Sequence, residues 1–483
     1  MYKCQALDNL NLEATNSSSN ITFTMDTPDT SSLALELDIL GQLPALRIYT
    51  QIILCFPVPD PAAHPTIVDT FNKGLERLST SFPWVAGQVK CFDESEGNTG
   101  TFKIVPLDKT PPVVVKDLRN DPSAPTMEGL RKAEFPMSMF DENVIAPRKT
   151  LPIGPDYSPD NPEPVLIFQL NFIEGGLILT VNGQHGAMDM TGQGELIRLL
   201  SKACRNEPFT EEEIATMKLE RKTIVPFLEG IEEAELDSHL ENQILKTPST
   251  PPPAPPEPAP ASWAFFSFSN QSLHELKAKA TSTLDASTQF VSTDDALTAF
   301  IWQCVSRARL ARLDPAAETK FSRAVDVRTQ VGAPKGYPGL LQNMTYHSGT
   351  LQQIADGPLG AVASNFRSEL GRDRLKFRTQ AFATKLHRTP DKSIFSLTAG
   401  ADPSADIMLS SWAKVGCYDL EFGFGLGKPE SVRRPLFEAL ECLMYLLPKR
   451  PDGEITAAIA LRDVDMERLK GDEEWSRYGR FIG

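Results

Sequence analysis

The chain has 483 residues, 41% hydrophobic and 23% charged, with a net charge of −15. Its length exceeds one ordinary core and calls for two large domains or a few small ones. Its acidity excludes a nucleic-acid binder, since no basic run gathers positive charge. No run of 18 apolar residues offers a membrane span, and no signal-peptide core opens the chain. Seven cysteines lie far apart, at 4, 55, 91, 204, 304, 417 and 442, with no CxxC pair. They read as reduced thiols of a cytoplasmic protein, with no metal site.

Residues 1–34 are polar and read as a disordered leader. RIYTQIILCFPV (47–58) is β-branched, apolar and closed by Pro57, so a strand is expected. Thr66 to Ser81 repeats apolar residues at helical spacing, and PWVAGQVKCF (83–92) returns to strand. VLIFQLNFI (165–173) and LILTVNG (177–183), joined through Glu174-Gly175-Gly176, read as a buried hairpin; a helix follows over 195–205. Prolines then crowd 248–260, which forbids helix and sheet. The tract fits either a ligand for a proline-reading module or, as the better reading, a crossover between domains. Beyond it come a strand (262–269), a helix (272–281) and a helix capped at Ser292-Thr293 that runs to about Leu310. Each half mixes strands and helices. The expected division is a first lobe over 35–240, a linker over 241–261 and a second lobe over 262–483.

Of six histidines, His64 falls in a polar loop, His239 and His274 on helical or charged surface, His347 at a strand end and His387 beside Arg388. His185 differs. It follows a buried strand and Asn182-Gly183-Gln184, precedes a helix, and has Asp189 four residues on. Such a junction holds a group rigidly yet exposed. Imidazole titrates near neutrality and can accept a proton from an attacking alcohol. A lone histidine there also fits a structural role. Metal ligation lacks further ligands, no G-x-S-x-G elbow offers a serine nucleophile, and FGFGLGKP matches no nucleotide loop.

HGAMD (185–189) and EFGFG (421–425) resemble the HxxxD and DFGWG motifs of the BAHD acyltransferases. STDDALTAFIW (292–302), AVDVR (324–328), GYPGLLQN (336–343) and SSW (410–412) are similar to that family's further motifs, in order. LGQLPALRIYTQ, LTVNGQHGAMDM, YPGLLQNMTYH and LGKPESVRRP are similar to one branch, the fungal trichothecene 3-O-acetyltransferases. The second motif departs from the family, with Glu421 for Asp and Phe424 for Trp, and Met190 stands where Gly is usual.

The resemblance implies an α/β fold of two similar mixed-sheet lobes meeting at a tunnel, of the chloramphenicol-acetyltransferase-like type. It implies acetyl-CoA as co-substrate, no permanently bound cofactor, and the C-3 hydroxyl of a trichothecene sesquiterpenoid as acceptor. His185 would be the general base, with Ser410 and Trp412 as oxyanion donors, although Trp412 also fits a core aromatic. Asp189 would pair with Arg328, within reach of Glu421, rather than relay protons. Ser292, Thr293, Asn343, Ser411, Lys428 and Arg433 would face coenzyme A; the basic Lys428-Arg433-Arg434 cluster also fits a solvated face. A monomer without nucleic-acid or membrane partners is expected. Another fungal alcohol or amine as acceptor, or a ligand-binding relative without turnover, remains an alternative.

Overall fold

The computed structural model describes residues 34–151, 161–246 and 259–483. The expected leader and nearly all of the proline tract lie outside these residues. Two large mixed sheets organise the rest. The first has five strands in the order Ser431–Arg433, Tyr49–Pro57, Gly176–Gln184, Leu166–Ile173 and Val113–Asp117. The second has seven, in the order Gln342–Thr350, Glu318–Asp326, Ile407–Ser411, Leu443–Leu446, Ile455–Arg462, Ala261–Phe268 and Gly479–Phe481. The halves of the chain are not closed units. Ser431–Arg433, from the second half, pairs antiparallel with Tyr49–Pro57 as an edge of the first sheet.

The strands form where burial rewards them. Every residue of Gly176–Gln184 and of Leu166–Ile173 is buried, and the two pair antiparallel through the 174–175 turn. Gly175 takes φ +73° there, a left-handed backbone that glycine adopts without Cβ strain. The helix Met190–Cys204 starts five residues before the expected 195, because Asp189 caps it: its carboxylate accepts from the Gly192 amide at 2.8 Å. Leu196, Ile197, Leu199 and Leu200 then face the core. The helix Thr293–Arg309 is capped by Ser292 and Asp295 in a reciprocal pair of bonds. Its apolar residues point all round, and it is buried almost end to end.

Two expectations shift. Pro83–Ala86 is a 3₁₀ turn, and strand begins only at Gly87, since Pro83 presets a helical φ. His64 is not in a loop: it opens the helix His64–Ser81, its ring stacked on Phe172 at 4.0 Å.

Candidate active site

His185 follows the last residue of the central strand Gly176–Gln184. Its amide donates to the Ile48 carbonyl at 2.8 Å, which ties the turn to the neighbouring strand entrance. Gln184 turns back, and its Oε1 accepts from the Ala187 amide at 2.8 Å. The imidazole Nδ1 lies 3.1 Å from the Met188 carbonyl oxygen. A carbonyl only accepts, so Nδ1 carries the hydrogen and Nε2 keeps its lone pair. The side chain is partly exposed, yet burial is the largest influence on it and holds its pKa below the ordinary value of 6.5. The Met188 carbonyl and Asp189 oppose that shift, and Arg434 adds to it. A neutral ring with a free Nε2 suits a general base near pH 7.

Asp189 faces away from this chemistry. Its two oxygens accept from Arg328 Nη1 and Nη2, both at 2.9 Å, and Oδ2 also accepts from the Leu341 amide at 2.8 Å. Arg328 is itself 2% exposed and donates further to the Tyr337 and Gly339 carbonyls. Glycines let these segments close in. A Cβ at Gly192 would meet the Pro338 carbonyl oxygen at 2.1 Å, and one at Gly41 would meet the Gly186 carbonyl oxygen at 2.1 Å.

Glu421 is not part of this pair. It is exposed, and its backbone carbonyl accepts from Arg205. The EFGFG segment instead packs aromatic side chains on the first lobe: Phe422 and Phe424 lie 5.9 and 6.0 Å from Phe56.

The Ser410-Ser411-Trp412 segment ends the strand Ile407–Ser411. The Trp412 indole donates to Ser410 Oγ at 3.2 Å. The indole N–H is therefore engaged, and the Ser410 hydroxyl hydrogen is the donor left over. Trp412 is 2% exposed and acts as a buried brace for Ser410. Ser411 Oγ donates to Asp294 at 2.6 Å, and Asp294 in turn pairs with Arg323.

The residues expected to face coenzyme A divide. Arg433 is buried, and its guanidinium donates to the Phe135 and Val432 carbonyls and the Tyr418 hydroxyl. Asn343 is wholly buried; its Oδ1 accepts from Gln243 and its Nδ2 donates to Thr379. Both side chains are engaged inside the protein in this structure. The Ser292 hydroxyl is committed to its helix cap and Ser411 to Asp294. Thr293 is partly exposed at a helix start, and Lys428 is exposed beside Asp419 at 3.2 Å.

Arg434, read from the sequence only as a member of the basic cluster with Lys428 and Arg433, lies beside the Ser410-Ser411-Trp412 segment. It is 1% exposed, its Nε has no hydrogen-bond partner, and its Nη2 donates to the Thr150 hydroxyl at 3.4 Å. Its guanidinium lies over the rings of Phe437, Tyr445 and Trp412, at 4.3, 4.5 and 5.4 Å. It thus touches the Trp412 brace while its charge acts on His185. The basic run alone could not separate a solvated arginine from one boxed by aromatics that come from distant positions.

Among the described residues, no cluster of His, Cys, Asp or Glu could hold a metal ion, and no helix is long and apolar enough to cross a membrane. The Transferase family model matches residues 143–476, and a trichothecene 3-O-acetyltransferase-like N-terminal domain model matches residues 48–204. The chain belongs to the BAHD acyltransferases. It is 64% identical to a trichothecene 3-O-acetyltransferase of Fusarium sporotrichioides, over 94% of this chain and 98% of that protein. It is 52% identical to an O-acetyltransferase of a Cryptosporiopsis species, over 92% and 97%. The crystal structure of TRI101 from F. graminearum, complexed with coenzyme A and deoxynivalenol, superposes with a TM-score of 0.89 at 61% identity, covering 93% of this BAHD chain and 100% of that one.

Proposed function

We propose that this BAHD enzyme transfers an acetyl group from acetyl-CoA to the C-3 hydroxyl of a trichothecene, with His185 as general base. The observation that carries the reading is the 64% identity to a trichothecene 3-O-acetyltransferase over nearly the whole chain. The neutral His185 with its free Nε2 supports the chemistry. Nε2 takes the acceptor proton as the oxygen attacks the thioester carbonyl. A C–O bond forms, the C–S bond breaks, and the imidazolium returns the proton to the departing thiolate. In this reading the Ser410 hydroxyl, which accepts from the Trp412 indole, donates to the oxyanion. No acyl-enzyme is invoked: five cysteines, Cys55, Cys204, Cys304, Cys417 and Cys442, have thiols pushed up to about 12 or beyond by burial, the reverse of an activated nucleophile.

The physiological sense would be protection of a fungal cell from a sesquiterpenoid toxin. The six free cysteines among the described residues support a reducing cytoplasm as its place, and we take the active unit to be a monomer. Mass spectrometry of products from acetyl-CoA with deoxynivalenol, T-2 toxin and unrelated fungal alcohols tests the reading. A mono-acetylated trichothecene is the expected product. The Cryptosporiopsis relative, an O-acetyltransferase not named for trichothecenes, favours a second reading, another fungal alcohol. Acetylation of such an alcohol with trichothecenes left untouched would establish it.

A further inference from the structure

The His185 turn is held from a second side. Arg221 Nη1 donates to the Ala187 carbonyl at 2.7 Å and to Asp38 Oδ2 at 3.1 Å. Ala187 lies midway between His185 and Asp189, so this bond pins the centre of the HGAMD turn. Asp38 is wholly buried, Arg221 is 2% exposed, and the guanidinium lies 4.4 Å over the Trp84 ring. The Asp38 carboxylate also accepts from the Tyr337 hydroxyl and from the Leu340 amide at 3.1 Å.

Both ion pairs end on one segment. Asp38 takes the amide of Leu340, and Asp189 takes the amide of Leu341. Arg328 holds the Tyr337 and Gly339 carbonyls of the same stretch. A Cβ at Gly339 would meet Asp38 Oδ2 at 2.2 Å, which shows how closely the carboxylate is seated. The turn carrying His185 and the 337–341 segment are therefore stapled twice, once through Asp189–Arg328 and once through Asp38–Arg221. The Asp189–Arg328 staple holds the end of the turn. The Asp38–Arg221 staple holds the carbonyl next to the one that orients the imidazole, since Met188, which accepts from His185, directly follows Ala187.

We propose that Asp38 and Arg221 are positioning residues for His185: their ion pair fixes the Ala187–Met188 backbone, and through it the ring orientation and tautomer of the base. The proposal rests on the reading of His185 as general base. A buried charge pair on a loop can equally serve stability alone, so the test must read the ring itself. In ¹⁵N-histidine spectra, assigned with the His185→Asn variant, the wild-type ring is expected as the Nδ1–H tautomer. In folded Arg221→Met it is expected as a mixture, because the Met188 carbonyl is no longer held. Arg221→Lys keeps a cation for Asp38 and Ala187; it serves where the Met variant does not fold, and is expected to show a smaller tautomer shift. Steady-state kinetics with acetyl-CoA and deoxynivalenol, normalised to coenzyme A-binding sites, should show kcat down about 10–100-fold in Arg221→Met with KM for acetyl-CoA within about threefold, since small misplacements of a catalytic group act on rate. Arg221→Lys should recover part of that loss. An unchanged His185 tautomer in the folded variants would overturn the proposal, whatever the melting temperature does. Absence of wild-type turnover on any trichothecene would count against the acceptor assignment, while the tautomer measurement still decides the staple.

Discussion

Asp189 and Arg328, 139 positions apart in sequence, meet as a two-pronged ion pair with both N–O distances at 2.9 Å. Both are buried, and both carry further hydrogen bonds that saturate the pair. Burial opposes the charge on Arg328, but Asp189 and Asp326 together outweigh it and raise the guanidinium above its ordinary pKa. Removing Arg328 strands the buried Asp189 charge, at a cost of about 3–5 kcal/mol, and removing Asp189 leaves Arg328 only the exposed Asp326 as a charged partner. Asp189→Asn and Arg328→Gln are each expected to melt early, and the double variant to lose less than the sum. Urea unfolding of all four proteins measures the coupling. Additive losses would mean that the pair carries no coupling energy and would reopen the proton-relay reading of Asp189.

His185→Ala should lower kcat by about 10²–10⁴ while coenzyme A still binds, because a general base acts on the transition state more than on the co-substrate. Isothermal titration with coenzyme A, beside the rate, separates the two. A variant that keeps near-wild-type kcat would remove His185 from the mechanism.

The reach of the sequence ended where chain order stopped matching space. Apolar runs located the strands at 49–57, 166–173 and 176–184, because each is buried nearly throughout. The HxxxD spacing pointed to His185 and to the Asp189–Arg328 pair through family resemblance. The basic run left a solvated face open for Arg433 and Arg434, because adjacent arginines look alike on paper; the burial of both, beside the strand pairing of Ser431–Arg433 with Tyr49–Pro57, rules that face out. Asp38 and Arg221 carried no motif at all. Their role comes from a meeting 183 positions apart that no local spacing encodes.

His347 offers a stability test away from the reaction. Its ring nitrogens face Asn365 Oδ1 and Thr345 Oγ1, each at 3.0 Å, and its ring lies 4.4 Å from Phe366. Burial pushes its pKa down to about 4. The unfolded chain, near 6.5, takes up the proton first as pH falls. Stability is therefore full above about pH 6.5 and is lost as pH falls toward about 4, with a ceiling of about 3 kcal/mol from this group. His347→Gln should be less stable than wild type at pH 7, and that gap should narrow as pH falls. A gap constant from pH 7 to 4.5 in denaturant titrations would show that the folded ring takes up its proton as readily as the unfolded one, against a depressed pKa.

Arg434 ties the two halves of the site to one pH profile. Protonated His185 is no base, so kcat/KM should fall on the acid side as pH drops through the His185 pKa, which burial and Arg434 hold below 6.5. Asp189 acts in the other direction and stays in place when Arg434 changes. Arg434→Met removes the cation but keeps an unbranched apolar chain among Trp412, Phe437 and Tyr445. Its acid limb should move to higher pH, toward the ordinary histidine value. Arg434→Lys keeps the charge and should leave the limb near its wild-type position, while losing the planar stacking that steadies Trp412. A fall in kcat at high pH in both variants, with the limb moving only in the Met variant, separates the charge from the packing. If the limb stays put in Arg434→Met, the cation does not act on His185, and Arg434 serves the Trp412–Ser410 brace alone.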